Sequence, residues 1–348
     1  MNTRRFVSAQ SLAEAVVRLR ELGIFVALAF TILFFAVRAD NFMTADNWRD
    51  IATDVSMVVV VAVGQTMVVL TRNIDLSVGS IVGLTAYVSS NTLADHHGLP
   101  IVLTALIAMG IGALCGIGNG LLVAVGKIPA IIATLATLAI YRGVLFEVTH
   151  GENVFAAQLP QNFLDLAAKK PLGVPSLAWI AIGVALAGAA LLRWAPWARD
   201  FYAVGSNPDA ARLAGIPVAR RVMTAFVISG ALAGLGGFMF AARFASVDAV
   251  AGRGFELDVV TAVVIGGVNV FGGSGSVLGA VLGALLVTTI QDGFTLLRVD
   301  EFWKIFFNGA AIVVAVTVDA LITKRVQEAL RRRRRAELLA THERAAET

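Results

Sequence analysis

PIVLTALIAMGIGALCGIGNGLLVAV (residues 100–125) carries no charged side chain from end to end. A helix needs roughly 20 mostly apolar residues to cross about 30 Å of hydrocarbon, and this stretch supplies them. Nine more stretches read the same way: 22–37, 52–71, 76–94, 128–147, 174–192, 222–245, 257–272, 275–297 and 301–321. Composition agrees, with 57% hydrophobic residues, 15% charged residues and a mean hydropathy of +0.79, where a soluble domain carries about 25% charge. A β-barrel would show short alternating segments instead. The expected fold is an all-α, polytopic membrane protein of about ten transmembrane helices. Ten spans divide into two five-helix halves, and an odd number per half would invert the second relative to the first. The glycine-rich spans 100–125 and 275–297 occupy corresponding positions in those halves.

Outward from the spans, no polar stretch is long enough for a separate soluble domain. The organisation expected is an N-terminal cytoplasmic segment (1–21), a membrane domain (22–321) that includes a cytoplasmic loop (193–221), and a basic cytoplasmic tail (322–348). The leader carries Arg4, Arg5, Arg18 and Arg20, but the apolar run ends in FFAVRADNF without a small-residue cleavage site, so it reads as a retained anchor. With the N-terminus inside, most of the 28 basic residues fall on the inner side, among them Arg72, Lys127, Arg193, Arg199, Arg212, Arg220, Arg221 and the run at 331–335. Both termini are therefore expected in the cytoplasm. The basic run lies just beyond the last span, where anionic headgroups account for it without nucleic acid.

Thirty-three glycines concentrate in the spans, including Gly112 with Gly116 and Gly279 with Gly283. Small residues at this spacing let membrane helices approach closely. Cys115 is alone, and His96, His97, His150 and His342 do not have zinc-site spacing, so no metal is expected. Polar residues inside the spans are few and show no nucleophile–base pair, so catalysis by this chain is not expected. Asp75, in RNIDLSVGS with Asn73 and Ser77, is expected to cap or stabilise the following helix, with a gate as the other reading. Asn119, Thr134, Thr137, Asp258 and Asn269 complete the residues expected as helix-to-helix glue or as a translocation path. Asp258 and Asp292 should face protein, water or an interface, since an ionised carboxylate facing lipid is costly.

The loop sequence FYAVGSNPDAARLAGIPVARR (201–221) is punctuated as a short helix. Asn207 suits the N-cap, Pro208 the first helical position and Asp209 the first turn, while Gly215 and Pro217 stop it. Two turns are marginal alone in water. Leu213, Ile216 and Arg212 would then be presented to a groove on a partner, or the segment is an ordinary connector.

The chain resembles the permease subunits of bacterial ATP-driven (ABC) monosaccharide importers, the ribose, rhamnose, xylose and autoinducer-2 group. The resemblance covers about residues 20–325 and is carried by NIDLSVGSIVGL (73–84), GNGLLVAVGKIPAIIATLAT (118–137), AVGSNPDAARLAGIPV (203–218) and GRGFELDVVTAVVIGGVNVFGGSGSVLGAVLGALL (252–286). It implies a plasma (inner) membrane protein working as a homodimer, or as a heterodimer with a paralogous permease. A cytoplasmic ATP-binding subunit would dock on 205–215, and a soluble sugar-binding protein would deliver the solute from outside. That docking segment holds Gly205, Asn207, Pro208, Asp209, Arg212, Leu213, Gly215 and Ile216. Segment 252–258 and the spans after it match the translocation core. ATP and magnesium would sit on the partner, since no GxxxxGK[ST] sequence occurs here. FGGSGSVLGAVLGALL and FWKIF lean the solute toward rhamnose or ribose. The rival reading is an ion-coupled secondary transporter of a small polar solute, which would need ion ligands or discontinuous helices near mid-membrane.

Overall fold

The computed structural model describes residues 23–317 and 320, and among them helix dominates, with a single isolated bridge between Val154 and Val247. In chain order the helices are α1 (Gly23–Arg38), α2 (Ala45–Leu70), α3 (Val78–Asp95), α4 (Ile101–Gly120, continued by a π-helical turn, Leu121–Val125) and α5 (Ala130–Thr149). Then follow α6 (Gln161–Ala168), α7 (Ser176–Trp194), α8 (Pro196–Ser206), α9 (Pro208–Leu213), α10 (Val218–Phe244), α11 (Phe255–Ile265), α12 (Val277–Leu296) and α13 from residue 301.

Six of these, α2, α4 with its π turn, α5, α7, α10 and α12, are long and apolar enough to cross a membrane. The expected count of about ten is therefore not reproduced among the described residues. The clearest departure is 257–272, expected as one span. It is the 11-residue helix α11 followed by a turn in which Gly267, Gly272, Gly273 and Gly275 all have positive φ. Glycine favoured that backbone over helix. The tail expected at 322–348 and the leader at 1–21 lie outside the described residues.

α2 is buried over most of its length by α10, α12, α7, α11 and α8. By contrast α4, α5 and α7 leave Leu103, Leu106, Leu114, Ile132 and Leu186 exposed, the surface a bilayer or another membrane subunit covers. The tightest seam joins α4 to α10. A Cβ at Gly112 or Gly230 would fall 2.1 Å from a backbone carbonyl of the other helix, and one at Gly116 2.3 Å from Phe226 O. Only glycine permits that approach, as expected from the small-residue spacing. Gly279 and Gly283 seat α12 on α11 in the same way, 2.1 Å from Gly266 O and 2.0 Å from Ala262 O.

Two non-helical segments lead into helices inside the bundle. After α2 the chain turns at Arg72 (φ 66°) and passes through the irregular residues 73–77 before α3 begins. After α10 it turns at Ala245 (φ 51°), passes through 245–254 and starts α11 behind Gly254 (φ 85°). The second packs on α3, the helix that the first leads into: a Cβ on Gly83 would lie 2.2 Å from Ala251 O and one on Gly79 2.8 Å from Gly252 O.

Candidate functional site

Inside lipid every backbone polar group must find a partner within the protein, and residues 73–77 are a case where side chains supply them. Gln65 lies five residues before the end of α2, about 7 Å into the bundle by the helical rise. Oriented to satisfy both ends, its amide donates to Asp75 O (3.2 Å) and accepts from Asp75 N (3.1 Å). Thr134 Oγ1 donates to Ile74 O at 3.2 Å and to Ala130 O at 2.8 Å. Asp75, fully buried, accepts from Ser77 N (3.0 Å), Ser77 Oγ (2.7 Å) and Asn119 Nδ2 (3.3 Å). Asn119 also donates to Ser77 Oγ at 2.8 Å, and Tyr141 donates from its hydroxyl to Cys115 O (2.9 Å) and Asn119 Oδ1 (3.4 Å).

Asp75, Ser77, Asn119 and Thr134 are thus one knot joining α2, α3, α4 and α5. The role expected for Asp75 at the helix start changes in one respect. Ser77 is the N-cap residue of α3 without a side-chain cap bond, and Asp75 braces the turn before it instead. Thr137 is buried one turn beyond Thr134 and donates to its carbonyl (3.3 Å). Asn73 stands apart, donating to Thr71 O and Oγ1.

Two further expected path residues lie outside the knot. Asp258 of α11 accepts from Gln291 (2.6 Å) and Asn308 (2.5 Å), tying α11 to α12 and α13. Asn269 sits in the turn between α11 and α12, accepting from Phe271 N at 2.8 Å. Asp292 faces protein as expected, accepting from Asn47 (2.9 Å). Near the other end of α10, Arg243 donates to Asp54 (2.7 Å) and Asp50 (3.2 Å) of α2. A groove of about 320 Å³ between α2, α7 and α12, lined by Trp48, Ile51, Val55, Val59, Ala178 and Leu285, is almost wholly apolar and offers a polar solute nothing.

The loop helix forms as its sequence implies. Asn207 Oδ1 accepts from Asp209 N and Ala210 N, both at 3.1 Å, with Pro208 at the first helical position. Gly215 (φ 80°) ends α9, whose last turn closes through Ile216 N to Ala211 O (3.0 Å). Leu213 is 92% exposed, and Arg212 pairs with Asp209 at 3.0 Å on the surface. Ile216 departs from the expected outward set and packs on the bundle. Gly205 anchors the whole segment. A Cβ there would fall 1.8 Å from Leu70 O and 2.4 Å from Gly273 N, and Gly273 N itself donates to Leu70 O (3.0 Å). Beside it Tyr202 donates to Gly275 O (3.1 Å), and burial pushes its phenol above the usual range. The loop helix is therefore fastened to the end of α2 that leads into residues 73–77.

Residues 47–316 match the family model described as the branched-chain amino acid transport system / permease component. The chain belongs to that permease family. Similar curated relatives include the autoinducer 2 import system permease protein LsrC of Salmonella typhi, 34% identical over 92% of this chain and 91% of that protein. Those of Klebsiella pneumoniae and Enterobacter sp. are 37% and 38% identical, each over 91% of this chain and 90% of the relative. No solved structure matches this permease significantly. The resemblance to permease subunits of ABC monosaccharide importers is upheld by these matches, and the membrane spans place the permease in a membrane as a multi-pass protein.

Proposed function

We propose that this permease moves a small, neutral, hydroxyl-bearing solute across the bacterial inner membrane by alternating access, driven by ATP hydrolysis on a separate subunit. Autoinducer 2 is the first candidate, ahead of the rhamnose or ribose favoured by sequence wording, because the similar relatives are autoinducer 2 permeases. Two copies, or this chain and a paralogue, form the membrane unit with both termini cytoplasmic. A soluble binding protein delivers the solute from outside, and ATP and magnesium are held by the cytoplasmic partner.

The observation that carries this reading is the fastening of α9 to the core. Exposed Leu213 and the Asp209–Arg212 pair form a small convex contact for the ATP-binding partner. Gly205, wedged against Leu70 O and Gly273 N, passes any displacement to α2 and the α11–α12 turn. In this scheme the knot of Asp75, Ser77, Asn119 and Thr134 is the gate-bearing joint, with Thr137, Asn73, Asp258 and Asn269 bracing the elements around the path.

Co-purification from native membrane followed by ATP-dependent uptake in proteoliposomes tests the scheme. A stoichiometric ATP-binding protein should be recovered, and autoinducer 2 should accumulate only with ATP. Arg212→Glu and Gly215→Val should lower uptake severalfold at normal protein levels, the second because φ 80° strains any β-branched residue. Recovery of the permease alone under conditions that preserve a comparable complex, or wild-type uptake by both variants, would overturn it.

A further inference from the structure

The groove between α2, α7 and α12 is walled by helices that cross the membrane, and its shape follows from α7. At one end α7 bears directly on both neighbours: a Cβ on Gly188 would fall 2.6 Å from Val63 Cγ1 of α2 and 3.8 Å from Val277 Cγ2 of α12. Toward the start of α7 the helices part, and the side chains it turns into the gap, Ala178, Ala181 and Ala185, are too small to close it. α2 lines the same groove from Val59 back to Trp48, a step of about 16 Å by the helical rise. Its 320 Å³ spread over that length gives a cross-section of about 20 Å².

These dimensions select the occupant. A helix, about 10 Å across, needs roughly four times that cross-section. Water needs two to four polar partners, and the one lining hydroxyl, Ser56 Oγ, already donates to Ala52 O (2.5 Å). Hydrocarbon suits the lining, because it restores the van der Waals contacts that apolar side chains lack on their open side. The groove also opens sideways onto the surface that meets a bilayer. Ile182 lines it and is 44% exposed, and Leu186, one turn further along the same face of α7, is 66% exposed. Its length matches one leaflet, half of a hydrocarbon core about 30 Å thick.

The end away from Gly188 is furnished for a headgroup. Trp48 lines it there, and indoles favour the level where hydrocarbon gives way to headgroups. Arg49 follows directly, and its ion pair with Asp46 (2.7 Å) lies on the surface, leaving guanidinium donors for a phosphate.

We infer that this groove is a binding site for one acyl chain of a membrane phospholipid, with the chain end against Gly188 and the headgroup beside Trp48 and Arg49. The bound chain completes the packing between α7 and α2. α7 leads directly into α8 and the loop helix, so the lipid supports the frame on which α9 is carried. The site is independent of which solute the permease moves.

The test uses the complete complex in vesicles of phosphatidylethanolamine and phosphatidylglycerol, with a small share of the phosphatidylglycerol carrying a photoactivatable diazirine partway along one acyl chain. After illumination, labelled peptides are identified by mass spectrometry. Val55, Val59 and Ala181 should take severalfold more label than Leu106 and Leu114 of α4, which are exposed to any passing lipid. Ala181→Phe should remove the excess by filling the groove, the smaller Ala185→Leu should reduce it, and labelling of α4 should change in neither. Wild-type labelling of the groove no higher than that of α4, or an excess that survives both substitutions, would overturn the inference. So would a disulfide between two copies carrying Ile182→Cys in a Cys115→Ser background, formed in the native membrane, because it would place a second copy over the groove.

Discussion

One break leads into α3, the other packs against it, and they differ in how their polar groups are treated. Residues 73–77 sit in a closed knot: Gln65 pairs both backbone groups of Asp75, and Asn119, Ser77 and Thr134 fill the remaining positions. Residues 245–254 are held by the Val154–Val247 bridge and by Arg142 on Ala251 O, with a carboxylate oxygen of neighbouring Glu256 left unpartnered. A fully satisfied buried network makes a rigid joint, while a partly satisfied one carries an energetic cost that function must explain. The first break is closed by its own side chains, and the second leaves a buried carboxylate oxygen beside it without a partner.

The strongest way to break that comparison is Asp75→Ala, which leaves Ser77 N–H and Asn119 Nδ2 without their carboxylate. A loss of about 2–3 kcal/mol is expected, read as a clear drop in melting temperature in detergent, with Glu256→Gln unchanged in the same assay. Equal melting temperatures for both variants would erase the distinction. Next in size, Gly83→Ala drives a methyl into Ala251 O, 2.2 Å away. About 1–3 kcal/mol of overpacking is expected, together with reduced uptake as 245–254 moves off α3. Ser77→Ala is milder. It keeps the backbone bond to Asp75 and loses only the hydroxyl, so about 1 kcal/mol is expected. A cost above that of Asp75→Ala would show that the hydroxyl, not the carboxylate, centres the knot.

The smallest effect lies outside both breaks. Asp165 of α6 is hydrogen-bonded by Gln161 (3.1 Å) and paired with Lys169 (3.1 Å), which hold its carboxyl below the usual range. Its contribution is present above the ordinary carboxylate range and is lost as pH falls through the lowered value. Asp165→Asn should leave melting temperature unchanged at neutral pH, and the side-chain titration should be centred below that of a free aspartate. A marked loss of stability would show that α6 bears on the bundle through this pair.

Much of the frame was legible beforehand, for identifiable reasons. Gly112 with Gly116 and Gly279 with Gly283 announced close seams because nothing but glycine tolerates a facing carbonyl near 2 Å. Asn207, Pro208 and Gly215 announced α9 because capping is local chemistry. The run at 257–272 misled, since its apolar content is that of a span while its glycines at 267 and 272 turn the chain. Asp75, Ser77 and Asn119 were recognisable as unusual polar residues, but not as one cluster. Arg142 and Glu256 were not connected: Arg142 is the one charge in the run 128–146, Glu256 stands between Arg253 and Asp258, and no motif links positions 114 residues apart in the chain.

By itself, then, the sequence determined that the protein is helical and membrane-embedded, that its helices pack closely at glycines, and that a capped loop helix stands out from them. These follow from side-chain transfer energies and from interactions within a few residues of each other. Only the tertiary structure decided where the helices break, that Gln65 and Thr134 satisfy the first break, and that Arg142 and Glu256 share one glycine strip at the second. Pairings of that kind depend on which elements are neighbours in space, and hydrophobicity, which is non-directional, does not encode them locally.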